Sequence, residues 1–150
     1  EVAGPPTSVA LRAAGWAEAE MLKTGLRGYS DWVEAPSGAR ARAEVDAEII
    51  RVEVESGTPL DLVMHRSYCI GAAHMAYSWV TSESLSVDDS GEVHDLTVRS
   101  FGVLRSSDCP HIEIVSVGEG EALAAGDAVF AAVAAATWLN RGCPSDLPTG

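Results

Sequence analysis

The sequence predicts an α+β domain, with antiparallel strands and about three helices. Two observations predict it. In ARARAEVDAEIIRVEVES apolar and polar residues alternate with the period of paired strands, while three other stretches carry the 3.6-residue period of helices. Their order is helix, hairpin, helix, further strands and helix, without the strand–helix–strand alternation of a parallel sheet. At 150 residues the chain reads as a single domain or a fragment spanning 1–150. Such a length buries about 68–70% of the surface of the unfolded chain. With 47% hydrophobic residues and no polar low-complexity tract, a packed core is expected.

The first helix is expected from Thr7 to Thr24. Pro5 and Pro6 precede it, Thr7 or Ser8 can cap it, and Gly25 stands where a terminating glycine belongs. Ala10, Ala14, Ala17 and Met21 form its small-residue face. Residues 25–38 are rich in Gly, Pro and Ser and read as a loop carrying Tyr29 and Trp32. The hairpin follows: Ala41, Ala43 and Val45 share one face, then Ile50, Val52 and Val54, with a change of phase at Asp46 to Glu48 that marks the turn.

After Pro59 a second helix is expected over about Arg66 to Thr81, where Tyr68, Ala72, Met75 and Trp79 recur at helical spacing and are expected to pack into the core. SLSVDDSGEVHDL reads as strand, turn, strand, with Gly91 in the turn. An irregular segment broken at Pro110 leads to the strand HIEIV. Asp127 is placed to cap a last helix from Ala128 to about Asn140, closed by Gly142 and Pro144.

Charge excludes one class of partner. With 22 acidic against 10 basic residues and a net charge of -12, the chain lacks the clustered cations that bind a phosphate backbone. Arg40 and Arg42, the closest basic pair, read as alternate exposed positions of a strand. No apolar run reaches the ~20 residues needed to span a bilayer, and no signal-peptide pattern opens the chain. A soluble, cytoplasmic protein is expected. Because the chain begins at Glu1 rather than Met, a processed or trimmed product of something longer is also expected.

Cys69, Cys109 and Cys143 are odd in number and irregular in spacing, so reduced thiols are expected rather than a disulfide framework. They cannot supply the four thiolates of an ordinary iron–sulfur cluster. His65, Cys69 and His74 share the second helix, with His65 and Cys69 one turn apart, and Cys109 lies near His111; no C-x-x-C or H-E-x-x-H spacing accompanies them. Buried thiols and partly exposed imidazoles are the expected outcome. Neither a dinucleotide-binding glycine fingerprint nor a Walker-type loop occurs.

SVGEGEALAAGD, residues 116–127, allows two readings. Gly118 and Gly120 let the backbone around Glu119 take conformations closed to other residues and approach a ligand closely. The segment is then either an acidic, solvated turn or a bend holding Glu119 or Glu121 for chemistry.

Three stretches together resemble the last part of the molybdenum-cofactor-binding subunit of the xanthine dehydrogenase and aldehyde oxidase family. In IGAAHMAYSWVTSESLSVDDSGEVHDLTVRSFGVLRSSDCPHIEI, Trp79, Val80 and Glu83 fit the end of the family's long helix. Asp89 and Gly91 fit its turn, and Phe101 through Asp108 and Pro110 fit its extended segment. ARAEVDAEIIRVEV is similar to the family's preceding hairpin, with a shorter turn. SVGEGEA is similar to the family's G-V-G-E-P, which puts the family's glutamate at Glu119. Two departures stand out: in MHRSYCIG the family's pterin-contacting glutamine is replaced by His65 or a neighbour, and Ser116 and Gly120 stand where the glutamate motif has Gly and Pro.

The resemblance implies part of a molybdenum hydroxylase that oxidises an aldehyde or N-heterocycle with water as the oxygen source. It implies Glu119 as general base and His65, Arg66 and Gly118 as cofactor-binding residues, with no direct metal ligand from this chain. Phe101 or Tyr68 would at most shape the pocket. The molybdopterin would be shared with a larger molybdopterin-binding portion or subunit. Iron–sulfur clusters and FAD would sit in partner subunits. Two other readings compete, a non-catalytic structural or assembly subunit and a small-molecule-binding α+β module unrelated to the family.

Overall fold

The alternation in residues 40–55 folds as the expected hairpin: β2 (Arg40–Val45) and β3 (Ile49–Glu55) pair antiparallel, with Val45 opposite Ile50. Asp46 makes the turn by accepting the backbone N–H groups of Glu48 and Ile49 at 2.8 Å each, an arrangement suited to a short acidic side chain. The computed structural model describes residues 9–94, 97–98 and 100–149. A two-residue β1 (Val33–Glu34) extends the sheet beside β2, and β6 (His111–Val117) lies beside β3, giving the order β1-β2-β3-β6. A separate ribbon pairs β4 (Ser86–Val87) with β5 (Val93–His94).

The α+β class with three helices holds among the described residues: α1 (Val9–Arg27), α2 (Leu62–Thr81) and α3 (Gly126–Asn140). One pairing departs from the expected pattern, because β6 runs parallel to β3 in register from Ile49–His111 to Glu55–Val117. The reason is the length of the connection. A 20-residue helix advances about 30 Å, so α2 and the ribbon carry the chain back to the end of the sheet where β3 began.

Inward residues build one core. Ala41, Ala43, Ile50, Val52 and Val54 are buried, and α3 lies over them with Ala128, Val129 and the run Ala131 to Thr137 also buried. A helix buried all round must be apolar on every face, and its alanines let α1, α2 and the sheet approach closely. The outward face of the sheet is polar. Arg42 forms a forked pair with Glu53, its Nε and Nη2 each donating at 3.0 and 2.8 Å, while Arg40 pairs with Glu55 at 3.0 Å and Arg51 with Glu113 at 3.4 Å. Arg40 and Arg42 also cover the Trp32 ring, which confirms them as outward strand positions rather than a basic patch.

Helix ends shift from their expected places for identifiable reasons. Thr7, Ser8 and the side chain of Ala10 lie outside the described residues. The first helix continues past Thr24 to Arg27 and stops at Gly28, whose φ of 77° suits glycine and whose N–H donates to the Thr24 carbonyl at 2.9 Å. Gly25 therefore sits inside α1. A side chain there would meet Trp138, since a Cβ would fall 2.6 Å from its ring. Ala17 and Met21 are buried as expected, whereas Ala14 is exposed and Glu20 and Thr24 take the other inward positions.

α2 begins at Leu62 rather than Arg66, because Asp61 caps it by accepting the N–H groups of Val63 and Met64 at 2.8 and 3.0 Å. Gly91 occupies the ribbon turn with φ 85°, as expected. Asp127 lies in the first turn of α3 and makes no capping bond; Ala125 holds the cap position.

Candidate functional site

The parallel pairing of β3 and β6 brings the start of α2 beside the segment that carries Glu119. Val54 pairs with Ser116 on the inward face of the sheet, and α2 leaves the sheet a few residues beyond Val54. His65, in the first turns of α2, reaches Ser116: its Nε2 lies 3.1 Å from the Ser116 Oγ. Cys69, one turn further along the helix, places its Sγ 3.7 Å from the same ring nitrogen. Spacing alone had put His65 and Cys69 on one face, and they do share it.

Beyond Ser116 the chain bends through Gly118, Glu119 and Gly120, with φ of 95° and 111° at the two glycines. These values favour glycine. The bend is anchored at its far side, where Thr58 N–H donates to the Gly120 carbonyl at 3.0 Å and Leu123 N–H donates to the Ser56 carbonyl at 2.9 Å. Ser37 Oγ holds the Ala124 carbonyl at 2.8 Å. Backbone bonds thus fix the segment while the side chains of Glu119 and Glu121 project into solvent. Among the described residues neither carboxylate has a hydrogen bond or an ion pair. A Cβ at Gly118 or Gly120 would meet nothing within 4 Å, so space around Glu119 is open.

His65 also forms one wall of a cleft of about 440 Å³ between α2 and the start of α3, together with Tyr68, Cys69, Met75, Leu123 and Phe130. Tyr68 and Met75 are 70% and 55% exposed, so the helical stripe expected in the core is split: Ala72 is buried and these two form the mouth of the cleft. Burial is taken instead by Cys69, Ala73, Ala76 and Val80. The Cys69 thiol is pushed up to about 11 by burial, and burial pushes the Cys109 thiol up as well. A nucleophilic thiolate needs the opposite shift, so neither Cys69 beside His65 nor Cys109 near His111 is activated.

The four sequence-derived site residues fall into two groups. Glu119, Gly118 and His65 belong to one neighbourhood, joined through Ser116. Arg66 lines a different cleft, on the flank of α2 facing residues 106–112. Successive helical residues point about 100° apart, which is enough to separate two such neighbours. Phe101 lies next to the end of α2, where its carbonyl accepts from Ser84 N–H at 3.0 Å.

Three features were not legible in the sequence. Among the described residues β6 is an edge strand with one side unpaired, and the adjoining start of α2 exposes Leu60, Leu62, Val63 and Met64. The helical period at Leu62 to Met64 could have signalled the second, had Asp61 been read as the cap. In the ribbon, Asp88, Glu92 and His94 bring one potential metal-ligand atom each within 4.8 Å of the others. All three are exposed, and Asp88 is already engaged: bonds from Ser90 and His94 hold its carboxyl well below the usual carboxylate range. No helix among the described residues is long and apolar enough to cross a membrane. No protein-family model matches the chain, and no curated protein matches it.

Proposed function

We propose that this chain is the C-terminal portion, or a separate small subunit, of a molybdenum hydroxylase oxidising an aldehyde or N-heterocycle, with Glu119 as its general base. The observation that carries the reading is the setting of Glu119: a carboxylate unpaired among the described residues, on a glycine-flanked, backbone-anchored bend directly beyond a sheet edge that no described strand covers. A base must approach the proton it removes and must not be neutralised by a neighbouring cation. Glu119 is exposed and has no cationic partner among the described residues, which supports this role.

The residues present fit a supporting role toward molybdopterin rather than a complete site. Gly118 and Gly120 leave open space on both sides of Glu119 that a bound group can occupy without displacing side chains. When bound, molybdopterin supplies a redox-active metal that activates water and accepts the substrate's electrons. The contribution of this chain is to hold one carboxylate oxygen ready for a proton, with Ser116 and His65 steadying the bend that carries it.

The other walls come from a companion, a larger molybdopterin-binding portion or subunit. The edge of β6, unpaired among the described residues, and the exposed Leu62, Val63 and Met64 give it a surface to cover. Covering them excludes water from Glu119, which suits a carboxylate base. Iron–sulfur clusters and FAD belong to further subunits, the substrate is a small molecule, and the assembly is cytoplasmic.

A second reading, a non-catalytic assembly subunit, draws on the exposure of Glu119 in this chain. Purifying the native assembly through a tag on this chain and measuring molybdenum, iron and flavin separates them from a free-standing module. Molybdenum in a fixed ratio to the chain supports the first two readings. A folded, monomeric chain that brings down none of the three overturns both.

A further inference from the structure

The flank of α2 that carries Arg66 faces a cleft of about 760 Å³, closed on its other side by residues 106–112. Its size falls within the ~300–1,000 Å³ of small-molecule sites. Ile70, Met75 and Ile112 supply apolar wall, and Arg66 supplies a guanidinium beside the rings of His74 and His111. In a chain with 22 acidic and 10 basic residues, no carboxylate lines this cleft.

Among the described residues Arg66 makes no ion pair. The net charge of -12 opposes anions at long range, yet charges further off than the Debye length of about 8 Å are largely screened at physiological salt. The one cation lining the cleft, Arg66, therefore decides which ligand it takes.

We propose that this cleft binds a small organic carboxylate with an apolar body. The planar fork of Arg66 matches the two oxygens of a carboxylate. The apolar body lies along Ile70, Met75 and Ile112. The site does not depend on the role given to Glu119.

The test is a titration of the full chain with benzoate, followed by heteronuclear NMR, with benzylamine and inorganic phosphate as comparisons. Benzoate is expected to shift Ile70, Ile112 and the His74 ring saturably, and Arg66→Gln to weaken that binding at least tenfold. Arg66 is exposed on its helix, so its loss leaves the fold intact, which the unchanged spectrum of the remaining residues verifies. Benzylamine bound as tightly as benzoate overturns the charge assignment, and phosphate bound as tightly overturns the need for an apolar body. Benzoate shifts confined to other surfaces, or an affinity untouched by Arg66→Gln, overturn the site.

Discussion

The imidazole of His65 and the hydroxyl of Ser116 meet at 3.1 Å, although 51 positions separate them in the chain. That contact joins the start of α2 to the end of β6, three residues before Glu119. It lies near solvent, so its worth to global stability is small, about 0.5–1 kcal/mol. Its larger effect is local. Ser116→Ala is expected to leave the unfolding midpoint almost unchanged while speeding amide exchange at residues 117–121 severalfold. Equal acceleration across the whole sheet would show that the contact does not act on the bend.

Gly57 guards the same bend from the other side. With φ at 70° it takes a conformation that suits glycine, and a Cβ there would fall 1.9 Å from the Glu121 carbonyl oxygen. Neither backbone can yield without breaking the bonds at Thr58 and Leu123. Gly57→Ala is predicted to cost at least about 2 kcal/mol, combining positive-φ strain with the forced displacement. Urea denaturation measures it, and a loss below the error of the method would show that the two segments do not pack as described.

The buried thiol of Cys69 gives a pH dependence of known sign. Its folded value is raised from the ordinary 9.0 to about 11, because burial penalises the thiolate. The unfolded chain thus ionises first. The stabilisation is fully present below about pH 9 and is lost as pH rises towards 11. Unfolding free energy should fall less steeply over this window in Cys69→Ala than in the parent, with a residual slope from Cys109, whose thiol is raised in the same sense. Parallel slopes would contradict the burial of Cys69.

Much of the fold was legible because local chemistry dictated it. The strand period of residues 40–55, the Asp46 turn, Gly91 and the closing Gly142 each depend on neighbours within a few positions. The parallel seat of β6 did not show itself, since register between strands some 60 residues apart is set by packing of α2 and α3 rather than by local pattern. The exposure of Tyr68 and Met75 was hidden for a related reason. Helical spacing identifies a stripe, but which stripe faces inward depends on where the neighbouring helix lies, and α2, packed on α3, buries Cys69, Ala73 and Ala76 instead. At the site, the glycines around Glu119 were readable from sequence. Its link to His65 through Ser116 and the separation of Arg66 were tertiary facts.

The central claim is that Glu119 removes a proton during turnover, and the most direct measurement is the turnover of the purified native complex carrying Glu119→Gln. The substitution keeps shape and removes basicity. General-base loss predicts a fall in kcat of about 10²-fold or more, with molybdenum content equal to that of the parent complex. Undiminished turnover at equal molybdenum content would contradict the claim.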